Sequence, residues 1–466
     1  MKSTIRSESG RGQSAALTIE HGPLMSDRLV GLVLGIYVPA VALLYTLQGF
    51  WMDFEKILYA LTGAAAVAVC AFCILRGKLF RGADILMLLF MPVCAVVSAA
   101  LNYGFSSAVF VSRPYVVWAV VFSLFFAIRV APEPDRLFSL FASASVLGLS
   151  ILCLFVLIHA TASLSYETTD RDLAFGCFQL GRLCGLTNAN IFAFSCTALC
   201  LLSIYSFLRA TGRGRIIWVL SGIIGWITLG LTNCRTGILC VSFCIGLLVF
   251  SAMLRSAEGK RGRLLRILTA AALGILAVVI CTLSMYLPTI IYRAVLSLYC
   301  SLTGRAQLLA KLSDLASRDI IDDTGTVSDR FITWRRALED IGKTPLRTWF
   351  GISLMNTDGI GGVTAGHHEA YIPHAHNTYL EMLRRFGIIG FALLAASAVR
   401  WCAAGMRCLF GPDGRIPARC LAAAAAGILL MGLMEPVPFP YTTVCSLSLP
   451  FFAICGYFMN DKRQSP

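Results

Sequence analysis

The chain has 466 residues, of which 57% are hydrophobic and only 14% are charged, and its mean hydropathy is +0.76. A soluble domain carries about 25% charged residues, so this composition excludes an ordinary soluble protein and predicts an integral membrane protein. The net charge of +14 would point to nucleic acid in a soluble chain. In a membrane protein it fits the surplus of Lys and Arg in cytoplasmic loops, and we expect no nucleic-acid partner.

Apolar runs that match the thickness of a bilayer occur along most of the chain. A transmembrane helix needs about 20 predominantly apolar residues. The runs predict an all-α, polytopic fold of about 12 spans, at residues 29–48, 57–75, 83–101, 110–128, 137–158, 188–208, 216–233, 237–254, 267–291, 386–404, 418–434 and 442–458. A polar stretch separates the ninth and tenth spans, and the other gaps are much shorter.

The distribution of basic residues predicts the orientation of these spans. With a cytoplasmic N-terminus, the inside segments hold 23 Lys and Arg, whereas the short outside segments hold 5. This asymmetry predicts a multi-pass protein of the inner (plasma) membrane with both termini in the cytoplasm. The resulting domain plan is a cytoplasmic tail at 1–28, spans one to nine at 29–291, an extracytoplasmic catalytic loop at 292–385, spans ten to twelve at 386–458, and a cytoplasmic tail at 459–466.

The long polar loop has the pattern of a folded segment. Apolar residues recur at spacings of three and four from Phe331 to Ile341, which predicts an amphipathic helix with Ser328 or Asp329 as its N-cap. A second helix is expected to resume at Tyr379 and to lead into the tenth span.

Four of the six histidines fall within ten positions near the end of this loop. Imidazole and carboxylate are good zinc ligands, so the cluster raises the hypothesis of a metal site. Its spacing does not match a helical pair and no cysteine lies nearby, so we favour one histidine acting in catalysis and expect no bound metal. The cluster consists of His367, His368, His374 and His376, with Glu369 among them.

The segment from His374 to Gly390 resembles the signature of the O-antigen ligase/polymerase family. In that family a His-Asn pair, here His376 and Asn377, is followed nine residues later by Gly-x-x-Gly, here Gly387 and Gly390. Three further segments resemble family motifs in the family's order. They are Gly181–Asn190, Thr232–Gly237 with Cys234 in place of the usual serine, and Asp329–Leu338.

The resemblance implies a transfer of a glycan from undecaprenyl diphosphate to a hydroxyl of a lipid or glycan acceptor at the outer face of the membrane. It implies no metal or other cofactor. A base with a pKa near working pH suits the attacking hydroxyl, and we assign this role to His376. Arginine suits the leaving diphosphate because its planar fork binds phosphate bidentately. We predict catalytic roles for Arg235 and Arg330 besides His376, and substrate binding by Arg182, His374, Asn377 and Arg305.

A physical argument supports two of these arginines independently of the resemblance. Arg182 and Arg235 lie at or near the ends of apolar spans, where an ionisable group is costly and usually lines a wet cavity or binds a ligand. Snorkelling of the side chain to the interface is the competing interpretation.

Other functions predict different patterns. A polysaccharide or small-solute transporter would carry charged residues in mid-span and broken helices near the bilayer centre, and most charges here lie at span ends. A metal-binding sensor would need at least three ligands from the histidine cluster. Within the family, the shared motifs do not separate a ligase from a repeat-unit polymerase.

Overall fold

In the computed structural model the chain is a bundle of helices. The structure describes residues 55–75, 90, 97–103, 113–162, 176–179, 182–185, 189–256, 262–304, 324–353, 360–365, 368–372, 374–411, 414–439 and 446–460. The helices are α1 (Glu55–Leu75), α2 (Ser98–Tyr103), α3 (Arg113–Val130), α4 (Pro134–Ala162), α5 (Ala189–Arg209), α6 (Arg215–Thr232), α7 (Arg235–Ser256), α8 (Arg263–Ser284), α9 (Leu287–Thr303), α10 (Thr324–Gly342), α11 (Pro345–Phe350), α12 (Thr378–Phe410), α13 (Ile416–Met431) and α14 (Ser448–Phe458).

Among the described residues, two short antiparallel hairpins interrupt the helices. Strand β1 (Cys177–Gln179) pairs with β2 (Arg182–Cys184), and β3 (Ile360–Ala365) pairs with β4 (His368–Ile372). In the first hairpin Gln179 lies opposite Arg182, and in the second Ile360 lies opposite Ile372. The prediction of a helical membrane protein is confirmed, with these hairpins as additions that the hydropathy pattern does not reveal.

Within the part of the chain that the structure describes, six helical segments are long and apolar enough to cross a membrane. They are α4, α5, α6 with the turn before it, α7, α8 together with α9, and α12. Shorter apolar helices lie in α1, α3, α13 and α14. These helices lie on predicted runs, except that the apolar segment of α8 and α9 continues to Thr303, beyond the predicted end of the ninth span at 291. The first predicted span, 29–48, and most of the third, 83–101, lie outside the described residues. The total of 12 spans, their orientation and the domain plan therefore stay predictions.

The bundle has an interior helix and a peripheral pair. In the most apolar 18 residues of α5, 78% of the residues are buried. In the corresponding stretch of the α8–α9 segment only 17% are buried. The exposed side chains of α8 are nevertheless apolar, including Leu268, Ile275 and Leu283. A helix that is apolar on its exposed face belongs in lipid rather than in water.

Aromatic rings fill the contact between α3, α12 and α14. Trp118 lies 4.9 Å from Phe90 and 6.0 Å from Phe452, and Phe90 lies 4.8 Å from Phe386, measured between ring centroids. Edge-to-face and tilted pairs at these separations stabilise a core beyond their buried area. At Gly456 a methyl group would lie 2.4 Å from a carbonyl oxygen of α3, so the glycine permits close helix contact.

Helix α10 begins earlier than the sequence predicts. It starts at Thr324, so the prediction that Ser328 or Asp329 caps it is wrong, because both residues lie within the helix. Val327 lies four residues before Phe331 and extends the apolar spacing toward the N-terminus. The helix ends at Gly342, one residue after Ile341, the last residue of the predicted apolar pattern.

The face of α10 that packs against the protein is not the face that carries two of its large apolar residues. Phe331 and Leu338 are exposed, at 62% and 56%, whereas Thr333 and Ala337 are buried. Arg330 and Asp340 continue the spacing of the buried pair by three residues at each end. This face brings two charged side chains into the protein.

Helix α12 breaks at Gly387, which has a φ of 64°. A methyl group there would lie 2.4 Å from backbone atoms of Trp349 and Phe350, because α11 packs against the break. The carbonyls of Arg384 and Arg385 accept the N–H groups of Ile352 and Ser353, both at 3.0 Å. Glycine is thus required at position 387 for two reasons: the left-handed backbone conformation and the close approach of the backbone of α11.

Candidate functional site

The segment before α12 presents the predicted histidines. Asn377 is the N-cap of α12, and its side chain accepts the N–H groups of Tyr379 and Leu380, each at 3.0 Å. His376 has a φ of 48°, a left-handed conformation that is uncommon for a residue with a side chain. The N–H of Ala375 donates to Glu381 Oε2 at 3.0 Å, which supports this turn.

The turn after α13 brings a carboxylate to the histidines. The N–H of Thr378 donates to the carbonyl of Gly432 at 2.8 Å, and the hydroxyl of Tyr379 donates to the carbonyl of Leu429 at 2.7 Å. These bonds join the start of α12 to the end of α13. Glu435 follows three residues after Gly432 and is 2% exposed.

Glu435 connects Arg330 and His376, two of the three residues that the sequence assigns to catalysis. Its Oε1 lies 3.3 Å from a terminal nitrogen of Arg330, and its Oε2 lies 3.6 Å from Nδ1 of His376. The side chains of Arg330 and His376 are 28% and 30% exposed, so they are open to a ligand while the carboxylate is buried. At this distance Nδ1 makes no hydrogen bond, so the carboxylate acts on the imidazole through its charge, which favours a proton on Nδ1 over one on Nε2.

His374 has a different environment from His376, although the two ring centroids are only 4.2 Å apart. Burial, together with the neighbouring His376, lowers the pKa of His374 to about 3, so it is neutral at physiological pH. Its Nδ1 accepts the backbone N–H of His376 at 3.2 Å. The neutral ring therefore carries its proton on Nε2, and its Nδ1 stabilises the turn by accepting the N–H of His376.

The first hairpin places Arg182 at the end of α6. Its Nε donates to the carbonyl of Thr232 at 2.8 Å, and a terminal nitrogen donates to Oδ1 of Asn190. A side chain at Gly185 would overlap the ring of Phe192, with a closest approach of 2.3 Å. These contacts give a physical reason for the spacing of Arg182, Gly185 and Asn190 within the segment Gly181–Asn190.

Cys234, in the turn between α6 and α7, interacts electrostatically with both Arg182 and Glu435. Burial raises the pKa of the Cys234 thiol, Glu435 raises it further, and the guanidinium of Arg182 lowers it. The side chains of Glu435 and Arg182 are therefore both close enough to the Cys234 thiol to change its pKa. Asn233 has a φ of 48°, and the N–H of Cys234 donates to Oγ1 of Thr232 at 3.3 Å. Arg235 follows at the first position of α7, with an exposed side chain.

A buried group of charges lies behind the histidines. Glu381 is fully buried and accepts hydrogen bonds from Arg384 and Arg385, which are each 1% exposed. Arg384 also donates to Asp340 of α10 at 3.2 Å. We call these four residues the α10–α12 ion-pair network.

Asp340 closes this network on the side of α10. Burial alone would raise the pKa of its carboxyl, but hydrogen bonds from Lys343 and Arg384 and the charge of Arg347 hold the pKa below its ordinary value. Asp340 is therefore charged, and it forms an ion pair with the buried guanidinium of Arg384.

The remaining predictions have different outcomes. Asn377 serves as a helix cap, and a role for it in substrate binding stays a prediction. Arg305 lies outside the described residues. Among the residues that the structure describes, no three His, Cys, Asp or Glu side chains come together to hold a metal. The side chains of three cluster members fall outside that part of the chain, namely His367, His368 and Glu369.

Sequence reasoning missed Glu435 and the α10–α12 ion-pair network. A signal for Glu435 exists, because it is a lone acidic residue at the end of an apolar run. The network had only the weak signal of paired arginines beside a glutamate, which is also common on solvated helix faces.

Comparison with known proteins supports the resemblance. Residues 219–395 match the family model described as O-antigen ligase. This stretch includes Arg235, Arg330, His374 and His376, whereas Arg182 and Glu435 lie on either side of it. The comparison with curated proteins gave no match. The resemblance to the O-antigen ligase family, predicted from the motifs, is thus confirmed by the family model over residues 219–395.

Proposed function

We propose that the chain is a membrane glycosyltransferase that moves a glycan from undecaprenyl diphosphate to an acceptor hydroxyl at the outer face of the membrane. The product would be a lipid-linked polysaccharide, made either by ligation to a separate acceptor or by polymerisation of repeat units. The observation that carries the proposal is the placement of His376 and Arg330 on one buried carboxylate, Glu435.

His376 is the proposed general base. The carboxylate of Glu435 faces Nδ1, so Nε2 is left to accept the proton of the acceptor hydroxyl. The acceptor oxygen then bonds to the anomeric carbon as the bond from that carbon to the diphosphate oxygen breaks. The imidazolium that forms lies beside a buried negative charge, which stabilises it.

Arginines are the proposed partners of the leaving diphosphate. Arg330 is held by Glu435 at 3.3 Å but keeps further donors for a phosphate oxygen. Arg182 lies across the α6–α7 turn from this pair, and Arg235 begins α7 with an exposed side chain. Fixed guanidinium groups can neutralise the charge that develops on the diphosphate, so the proposed reaction needs no metal ion.

A reconstituted transfer assay tests this function. The purified protein in vesicles would receive an undecaprenyl-diphosphate-linked repeat unit, with EDTA throughout and with or without a separate acceptor lipid. A ladder of products without added acceptor indicates a polymerase, and a single product that requires the acceptor indicates a ligase. A matched undecaprenyl-monophosphate-linked sugar is expected to be inert, because the proposed arginines bind a diphosphate. A protein that is inert with every acceptor, or active only when divalent metal is restored, contradicts the proposal.

A further inference from the structure

Helix α10 contacts two separate elements through one face. Arg330 and Asp340 are ten residues apart on its inward side, which is about 15 Å along a helix. Arg330 pairs with Glu435, after α13, whereas Asp340 pairs with Arg384 on α12. The position of Arg330 at the site therefore depends on where the other end of α10 is held.

A second series of contacts runs from the same arginine to the catalytic turn. Arg384 donates through Nε and a terminal nitrogen to the two oxygens of Glu381, at 3.3 and 3.2 Å. Oε2 of Glu381 accepts the N–H of Ala375, the residue immediately before His376. Because His376 holds an unfavourable left-handed backbone, its turn persists only where surrounding contacts impose it.

The composition of this connection is unusual for a structural contact. Glu381, Arg384 and Arg385 are all at most 1% exposed, and burying charged groups is costly even when they are paired. Apolar side chains could hold two helices together without that penalty. The bidentate geometry of an arginine–carboxylate pair fixes direction and distance more closely than apolar packing does.

We infer that Asp340, Arg384 and Glu381 are positioning residues, which set the distance between His376 and the Arg330–Glu435 pair. This inference rests on the proposed function and adds the residues that hold its geometry. In the contacts described above, their side chains reach His376 only through the backbone of Ala375. They act by fixing α10 and the histidine turn relative to one another.

The test uses three variants of α10. Asp340→Asn keeps the shape of the side chain but removes the charge that binds Arg384, and we expect kcat to fall by roughly 10- to 100-fold. The KM for the donor is expected to stay within about twofold, because Arg182 is not touched. Asp340→Glu should recover most of the activity. Glu339→Gln, on the exposed face of the same helix, is the matched control and should leave kcat unchanged.

A second readout does not depend on transfer activity. Carbethoxylation of His376, followed by peptide mass spectrometry, reports how firmly its imidazole is held near Glu435. We expect the modification rate to rise severalfold in Asp340→Asn and to match wild type in Glu339→Gln. Glu381→Gln, which keeps an acceptor for Ala375, repeats the test if Asp340→Asn does not fold.

Two results would overturn the inference. One is an Asp340→Asn protein that matches Glu339→Gln in both kcat and His376 modification. The other is a loss of activity that follows only the amount of folded protein, with unchanged modification of His376 and no recovery in Asp340→Glu. A wild type that transfers no glycan would contradict the proposed function, while the modification rates would still test the positioning.

Discussion

The two halves of α12, on either side of Gly387, are stabilised in opposite ways. Before the break, Glu381, Arg384 and Arg385 are buried and join α12 to α10 through ion pairs. After it, Trp401 packs against aromatic rings of α3 and α14, with centroids 5.7 Å from Phe125 and 5.8 Å from Phe452. The first half of α12 thus fixes the geometry of the site through ion pairs, and the second half is an apolar span.

The buried contacts of the two halves of α12 differ in how strictly they fix the geometry. Apolar packing tolerates small shifts of the rings, since it is not directional. A bidentate ion pair does not tolerate such shifts, and a charge left without its partner in the interior is strongly destabilising. We therefore expect substitutions at the break and at the site to have large effects, and substitutions of exposed charges to have small ones.

The largest effect is expected at the break itself. Gly387→Ala combines a left-handed φ with a methyl group 2.4 Å from the backbone of α11, so the contact between α11 and α12 cannot form as observed. We expect a clear fall in the thermal unfolding temperature and loss of transfer activity.

Gly405→Ala is the matched control in the second half of the same helix. Its added methyl group would lie 3.9 Å from the nearest side-chain atoms, and alanine favours helix by up to about 1 kcal/mol over glycine. We expect equal or higher stability. Equal stability of both variants would contradict the requirement for glycine at position 387.

Glu435→Gln is expected to have the next largest effect. The amide keeps the shape but removes the charge that faces Arg330 and His376, so we expect kcat/KM to fall about a hundredfold, or about 2.7 kcal/mol. The folded fraction should change little. Glu133→Gln, an exposed carboxylate outside the site, is the control. Activity of Glu435→Gln within threefold of wild type would remove Glu435 from the site.

A smaller effect is expected from pH, through His374. Its pKa is about 3 in the folded protein and about 6.5 in the unfolded chain, so the unfolded state binds the proton first as pH falls. Its contribution to stability is complete above about pH 6.5 and is lost toward pH 3, by at most about 1.4 kcal/mol per pH unit. Thermal unfolding in detergent from pH 7.5 to 4.5 would show this slope, and His374→Asn should reduce it. Identical slopes in the two proteins would contradict the assignment.

The smallest effect is expected on the exposed face of α10. Glu339 pairs with Arg335 at 3.8 Å and Arg336 at 3.0 Å, and all three side chains are largely open to solvent. Glu339→Gln should change the free energy of unfolding by less than about 0.5 kcal/mol. The measurement is thermal unfolding at low and high salt. A larger loss of unfolding free energy would contradict the view that exposed charges of α10 contribute less to stability than its buried ones.

Much of this architecture could be predicted from the sequence, because a transmembrane helix is encoded locally in about 20 apolar residues. The assignment of catalytic roles to His376 and Arg330 followed from motifs, and the structure places both side chains next to the carboxylate of Glu435. Glu435 could not be placed beforehand, since it comes from a turn 59 positions after His376 and meets it only through the packing of α12 on α13.

The ends of α10 show a second limit. Hydrophobic spacing indicated the helix but not its inward face, because that face is set by charged partners on other elements. Arg330 and Asp340, which are 28% and 17% exposed, face inward and pair with Glu435 and Arg384, while the more apolar Phe331 and Leu338 remain exposed. Tertiary ion pairs of this kind leave no periodic pattern in a single sequence.

In the proposed reaction His376, and not its neighbour His374, takes the proton of the acceptor. The most direct measurement compares His376→Asn with His374→Asn in the reconstituted transfer assay with EDTA. We predict that His376→Asn lowers transfer at least about 1,000-fold, while His374→Asn, whose amide oxygen can replace Nδ1 as an acceptor, stays within about tenfold of wild type. Full activity of His376→Asn, or loss of activity in His374→Asn alone, would contradict the account.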